Sequence, residues 1–98
     1  MMRISPEAIN IYLEGWQNDM DQNLKDILKE NNMGWMERFK SPCGKYILMT
    51  TNFADICNPE NGIGWNLHIN NSSSNQIGSV NVEFIEQVKQ LMEIYKDY

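Results

Sequence analysis

Residues 36–49 read Met36-Glu37-Arg38-Phe39-Lys40-Ser41-Pro42-Cys43-Gly44-Lys45-Tyr46-Ile47-Leu48-Met49, and the fold class turns on this stretch. Pro at the second and Gly at the fourth position of Ser41-Pro42-Cys43-Gly44 fit a type I turn: the Pro ring presets one backbone angle, and Gly accepts the exit conformation. The runs on either side, 34–40 and 45–51, lack helical apolar spacing, so two antiparallel strands are predicted. If Ser41 and Gly44 close the hairpin as a pair, Phe39 lies opposite Tyr46, Glu37 opposite Leu48 and Met36 opposite Met49.

Moving outward, residues 53–62 form a loop that ends in the turn formers Asn58-Pro59-Glu60-Asn61-Gly62. Trp65, Leu67 and Ile69 then alternate with Asn66, His68 and Asn70, the pattern of a strand with one buried and one wet face. After a Ser-rich tip at 71–75, residues 76–80 return as a fourth strand. Asn81 is expected to cap a last helix, with Val80 and Ile85 as its hydrophobic staple and Phe84, Ile85, Val88, Leu91, Met92 and Tyr95 as its buried stripe.

Upstream, Ser5-Pro6-Glu7 is a helix start, with a capping hydroxyl, Pro at the first helical position and an acid at the positive dipole end; Ile4 and Ile9 flank it as a staple. Ile9, Leu13, Trp16, Met20, Leu24, Ile27 and Leu28 follow at three- and four-residue steps. Gly15 and Gln17-Asn18-Asp19 are points at which this helical region can bend or split, Asp19 or Asp21 then capping a second helix. The order is an N-terminal helical region, an antiparallel meander of three to four strands and a C-terminal helix packed on the sheet. This is one α+β domain over 1–98.

Ninety-eight residues carry eight Lys+Arg against thirteen Asp+Glu, a net charge of −5. That balance argues against simple wrapping of bare nucleic acid, where affinity comes from cations neutralising phosphates. No apolar run approaches the roughly 18–20 residues of a membrane span, and the start of the sequence lacks the apolar core of a secretion signal, so the expectation is a cytoplasmic chain. Cys43 and Cys57 are then free thiols.

The residues that can carry chemistry are sparse. His68, the single histidine, could act as base for Cys43 or Cys57 with Asp55 or Asn70 orienting the ring, but the spacing matches no nucleophile signature, and a half-exposed strand histidine explains it as well. Cys43, Cys57 and His68 lack the paired spacing of a zinc site, and the carboxylates lack that of a calcium loop. Gly62-Ile63-Gly64 leads into a strand, whereas a phosphate-cradling loop opens a helix. No enzyme, metal or cofactor is expected.

Charge is uneven along the chain. Residues 1–32 hold three basic and six acidic groups, 33–70 three of each, and 71–98 two and four. Asp19, Asp26 and Glu30 fall at helical steps and form one acidic stripe if the helix is continuous there. Such a stripe imitates a line of phosphates and suits a basic groove on a partner; a solvated helix face has the same spacing. Asp21 before Lys25 is read as an ordinary helix pair. Arg38, Lys40 and Lys45 crowd the hairpin tip beside Phe39 and Tyr46, an arrangement suited to touching RNA already held by a partner. The aromatics Trp16, Trp35, Trp65, Tyr95 and Tyr98 offer a protein interface if they cluster at the surface, and a monomeric core if they do not.

Gly64-Trp65-Asn66-Leu67-His68-Ile69-Asn70-Asn71, followed by Ile77-Gly78-Ser79-Val80 and a helix from Val82, resembles short uncharacterised reading frames of Bacteroidetes phages and mobile elements over about a third of the chain. In size, acidity and lack of a catalytic constellation the chain is similar to phage-encoded anti-defence proteins, including anti-CRISPR inhibitors. These share no common fold or signature, so the resemblance assigns no residue a role. The expectation is a non-enzymatic interaction protein that inhibits an RNA-guided defence nuclease by surface binding. The alternative is a small-ligand or nucleotide-sequestering domain, as an oligomer, using Asn66, His68 and Asn70.

Overall fold

A computed structural model describes residues 2–31, 37–50 and 64–98, with backbone only at 28 and 29. Ser5 starts helix α1 (Pro6–Tyr12) as its sequence predicts, its hydroxyl accepting from the Ala8 N–H at 3.0 Å. Ile4 and Ile9, the staple pair, are both in the core.

The long helical region does not stay continuous. Gly15 adopts φ +82°, a conformation L side chains rarely take, and a Cβ there would lie 2.8 Å from Pro42 Cγ. Only glycine combines that backbone angle with that approach. The chain therefore leaves α1, adds a two-residue strand β1 (Gln17–Asn18) to the sheet, and starts a separate helix α2 (Gln22–Glu30). Asp21 caps α2, its carboxylate accepting from the Asn23 N–H at 2.8 Å.

Strands β2 (Arg38–Lys40), β3 (Tyr46–Thr50), β4 (Trp65–Asn70) and β5 (Gln76–Val82) complete a five-stranded antiparallel sheet in the order β1-β2-β3-β4-β5. The predicted meander is present, with β1 as the additional strand. Helix α3 (Ile85–Tyr95) follows. Its start differs from expectation, because β5 runs through Asn81 to Val82. Gln87 does the capping instead, its amide oxygen accepting from the N–H of Glu83 at 2.7 Å and of Phe84 at 3.0 Å.

The hairpin register also differs. The turn closes as predicted, with Gly44 N–H donating to Ser41 O at 2.9 Å, but Gly44 takes φ +76° and Lys45 is spent before pairing resumes at Ser41 and Tyr46. Phe39 consequently faces Leu48 and Arg38 faces Met49, a shift of two residues that keeps every side chain on its predicted face.

One face carries the core. Phe39, Tyr46, Leu48, Trp65, Leu67, Ile69 and Val82 of the sheet pack with Ala8 and Ile9 of α1 and Ile85 and Val88 of α3. Trp16 stacks on Tyr46 with centroids 6.5 Å apart, and Phe39 meets Trp65 at 6.4 Å. Trp16 and Trp65 are thus interior rather than a surface patch, whereas Tyr98 is exposed; Trp35 lies outside the described residues. No described helix is long and apolar enough to cross a membrane.

Candidate functional site

Helix α2 is fastened to the sheet by charge. Glu37 precedes β2 and shares the face of buried Phe39, so its carboxylate enters the interior, where its side chain is 8% exposed. Lys25 of α2 reaches one carboxylate oxygen at 2.9 Å, and the Asn18 amide of β1 donates to the other. Thr50, opposite on β3, donates its N–H to Glu37 O at 3.1 Å and accepts the Glu37 N–H on its hydroxyl at 3.3 Å. A buried carboxylate is tolerated only with such partners. Lys25 is therefore the pin of α2 rather than the helix partner of Asp21, which is occupied as the cap.

With Lys25 turned to the sheet, α2 presents a mixed outward surface. Leu24 and Ile27 are 44% and 52% exposed, and Asp26 and Glu30 are exposed beside Ile27. Side chains at 23, 26, 27 and 30 share one flank of a 3.6-residue helix, so Ile27 and the two acids form one strip, with Leu24 at its edge beside Ile27 and away from the acids. Asp19 does not belong to it. The break at Gly15 and β1 places Asp19 before α2, where its N–H bonds Arg38 O at 3.0 Å and its carboxylate pairs with Arg38 Nε at 3.4 Å. The three-residue stripe is corrected to a two-residue one, Asp26 and Glu30.

The three tip cations do not act together. Arg38 is held by Asp19. Lys45 turns toward the end of α3, where its ammonium donates to Tyr95 O and, at 3.0 Å, to Tyr98 O. The last turn of α3 carries no basic residue of its own, so Lys45 supplies the positive charge that the helix C-terminus favours. Lys45→Met is expected to lower the unfolding free energy by about 1–2 kcal/mol in urea titrations, and Lys45→Arg to recover most of it. Lys40 alone is exposed and, among the described residues, makes no ion pair.

The second face of the sheet carries two cross-strand rows, Asp19, Arg38, Met49, Asn66, Asn81 and Gln17, Lys40, Ile47, His68, Ser79. Strands β2–β5 contain no Asp or Glu, so among the described residues acid is confined to helices and connections. His68 lies mid-sheet between Ile47 and Ser79. Cys43 lies at the hairpin tip, on the rim of two open hollows of about 450 and 560 Å³; the first includes Asn70 and Asn71 but not His68. Cys57 and Asp55, the other proposed members of a thiol site, lie outside the described residues. Among the described residues no three His, Cys, Asp or Glu side chains gather as metal ligands.

The Cys43 thiol is held below its ordinary pKa chiefly by the Ser41 hydroxyl, 3.5 Å away, with backbone bonds and Lys45 adding to the effect against partial burial. Alkylation by iodoacetamide is expected to reach half its plateau rate below the pH of a free cysteine, and Ser41→Ala to move that midpoint upward. The Tyr46 hydroxyl, pushed up by burial, donates to Met92 O at 3.1 Å and ties β3 to α3.

The comparisons find no matching protein-family model, no matching curated protein and no matching solved structure. The site therefore stands on its own chemistry. Sequence reasoning missed the Glu37 pin, although a signal was present: an acid two residues before a core aromatic in a strand must share its buried face.

Proposed function

We propose that this protein is a non-enzymatic interaction protein that uses the outward strip of α2 to occupy a groove with an apolar floor and basic rim on another protein. The observation that supports it is the pairing of exposed Leu24 and Ile27 with exposed Asp26 and Glu30 on a helix pinned from behind by Lys25 and Glu37. Apolar anchors bury in the groove, acids complement the rim, and the pin holds the helix ready, which lowers the ordering cost of binding.

A groove built to hold a nucleic-acid backbone has this chemistry, so the partner is proposed to be an RNA-guided effector nuclease of a defence system, inhibited by occupation of that groove. Lys40 is the tip cation left to touch RNA on such a partner. Pull-down from a lysate that contains the nuclease, with and without ribonuclease treatment, tests this reading. Capture that survives ribonuclease and falls away with Leu24→Ser/Ile27→Ser supports it; capture indifferent to both changes overturns it. The hollow lined by Cys43, Lys45, Asn70 and Tyr98 favours the second reading, a small-ligand domain. A melting temperature unmoved by millimolar nucleotide removes that reading.

A further inference from the structure

The two edges of the sheet are built differently. At one, β1 is two residues long and runs directly into Asp19, whose carboxylate holds Arg38. A short strand ending in a charged pair is a blunted edge. At the other, β5 runs for seven residues, Gln76-Ile77-Gly78-Ser79-Val80-Asn81-Val82, with no charge and no Pro. The neutral zone is longer than the strand, since His68 is the only ionisable side chain between residues 61 and 82. Among the described residues β5 pairs with β4 alone, and Gln76, Ile77, Ser79 and Asn81 are exposed. A register shift opposite Ile69 and Asn70 disturbs the start of the strand and leaves 78–82 regular. Beyond Val82 the edge is taken by the N-terminal segment: Glu83 O accepts the Ile4 N–H at 3.0 Å, Arg3 bridges Phe84, and the Arg3 guanidinium pairs with the Glu83 carboxylate at 3.1 Å.

We infer that β5 is a self-association edge that pairs antiparallel with β5 of a second copy of this chain. The occupant follows from charge. Each chain carries −5, so two copies repel through most of their surfaces, and the β5 edge is a long backbone edge on which no like charges meet. Laying 78–82 on its copy puts Val80 on the twofold axis, Gly78 opposite Val82 of the second copy and Ser79 opposite its Asn81. Both Val80 and Val82 continue the core face, so apolar side chains meet across the axis on that side and small polar ones on the other. Because the edge at β1 is short and blunted by the Asp19–Arg38 pair, β5 is the one long edge among the described residues, and pairing there closes as a dimer with a continuous sheet and does not propagate into fibres. This inference is independent of α2 and of its proposed partner.

Sedimentation equilibrium of the purified chain tests it. The weight-average mass is expected to rise from 11.5 kDa toward twice that value between about 10 µM and 1 mM, and to rise further with added salt as the repulsion is screened. Ser79→Lys/Asn81→Lys brings like charges face to face and is expected to hold the chain at monomer mass, while Gln17→Lys at the other edge leaves dimerisation unchanged. Amide exchange reads the same interface without substitution, as protection of 76–82 that grows with concentration. A wild-type chain that remains a monomer at 1 mM, a dimer that survives the β5 charges, or exchange at 76–82 indifferent to concentration overturns the inference.

Discussion

Glu37→Ala is expected to lower the unfolding free energy by about 3 kcal/mol, roughly 12–24 °C in melting temperature for a domain of this size. The loss exceeds that of an exposed ion pair because of what remains. Lys25, with its side chain 17% exposed, loses its counter-ion in a largely desolvated position, and the Asn18 amide and α2 lose a common anchor. Removing both charges together is the informative control. Lys25→Met/Glu37→Leu is expected to recover much of the stability, since two well-packed apolar side chains of similar size replace a pair whose desolvation offsets much of its attraction. A double-mutant cycle in urea checks this, and additive losses from the two single variants would contradict the pin.

Leu48→Ala is expected to cost about 3–4 kcal/mol, while Ile47→Ala, one residue away on the same strand, costs less than about 1.5 kcal/mol. Leu48 is fully buried between Phe39 and Leu67, so truncation leaves a cavity in the core; Ile47 is half-buried on the second face, in a row with Lys40 and His68. Paired urea denaturations decide the matter, and equal losses would mean that the sheet is covered on both faces.

Much of the fold was legible because its signals are local. Ser5-Pro6-Glu7 fixes a helix start within three residues, and the alternation of Trp65, Leu67 and Ile69 assigns a buried face without reference to any partner strand. The hairpin register was misread because a turn motif names the closing hydrogen bond and not the residue at which pairing resumes; Gly44 at positive φ and Lys45 add two residues to the loop. The split of the first helical region was visible at Gly15 as a possibility only; Pro42, 27 positions away in sequence, makes glycine necessary there. The candidate site divides along the same line. Asp26 and Glu30 share a helix face by spacing alone. Asp19, Arg38 and Lys45 were judged by proximity in sequence, whereas the chain reversal after Gly15 and the docking of α3 on the hairpin tip give them partners of their own.

On the proposed reading, the outward strip of α2 is the surface that meets the partner. Its most direct test is an equilibrium titration of the captured, purified partner with the wild-type chain and with Asp26→Lys/Glu30→Lys, at two salt concentrations. Kd is expected to weaken with salt for the wild type, and double reversal to raise Kd by about a hundredfold, close to 2.7 kcal/mol, with a reduced salt dependence. An unchanged Kd, with the variant folded by circular dichroism, would contradict it.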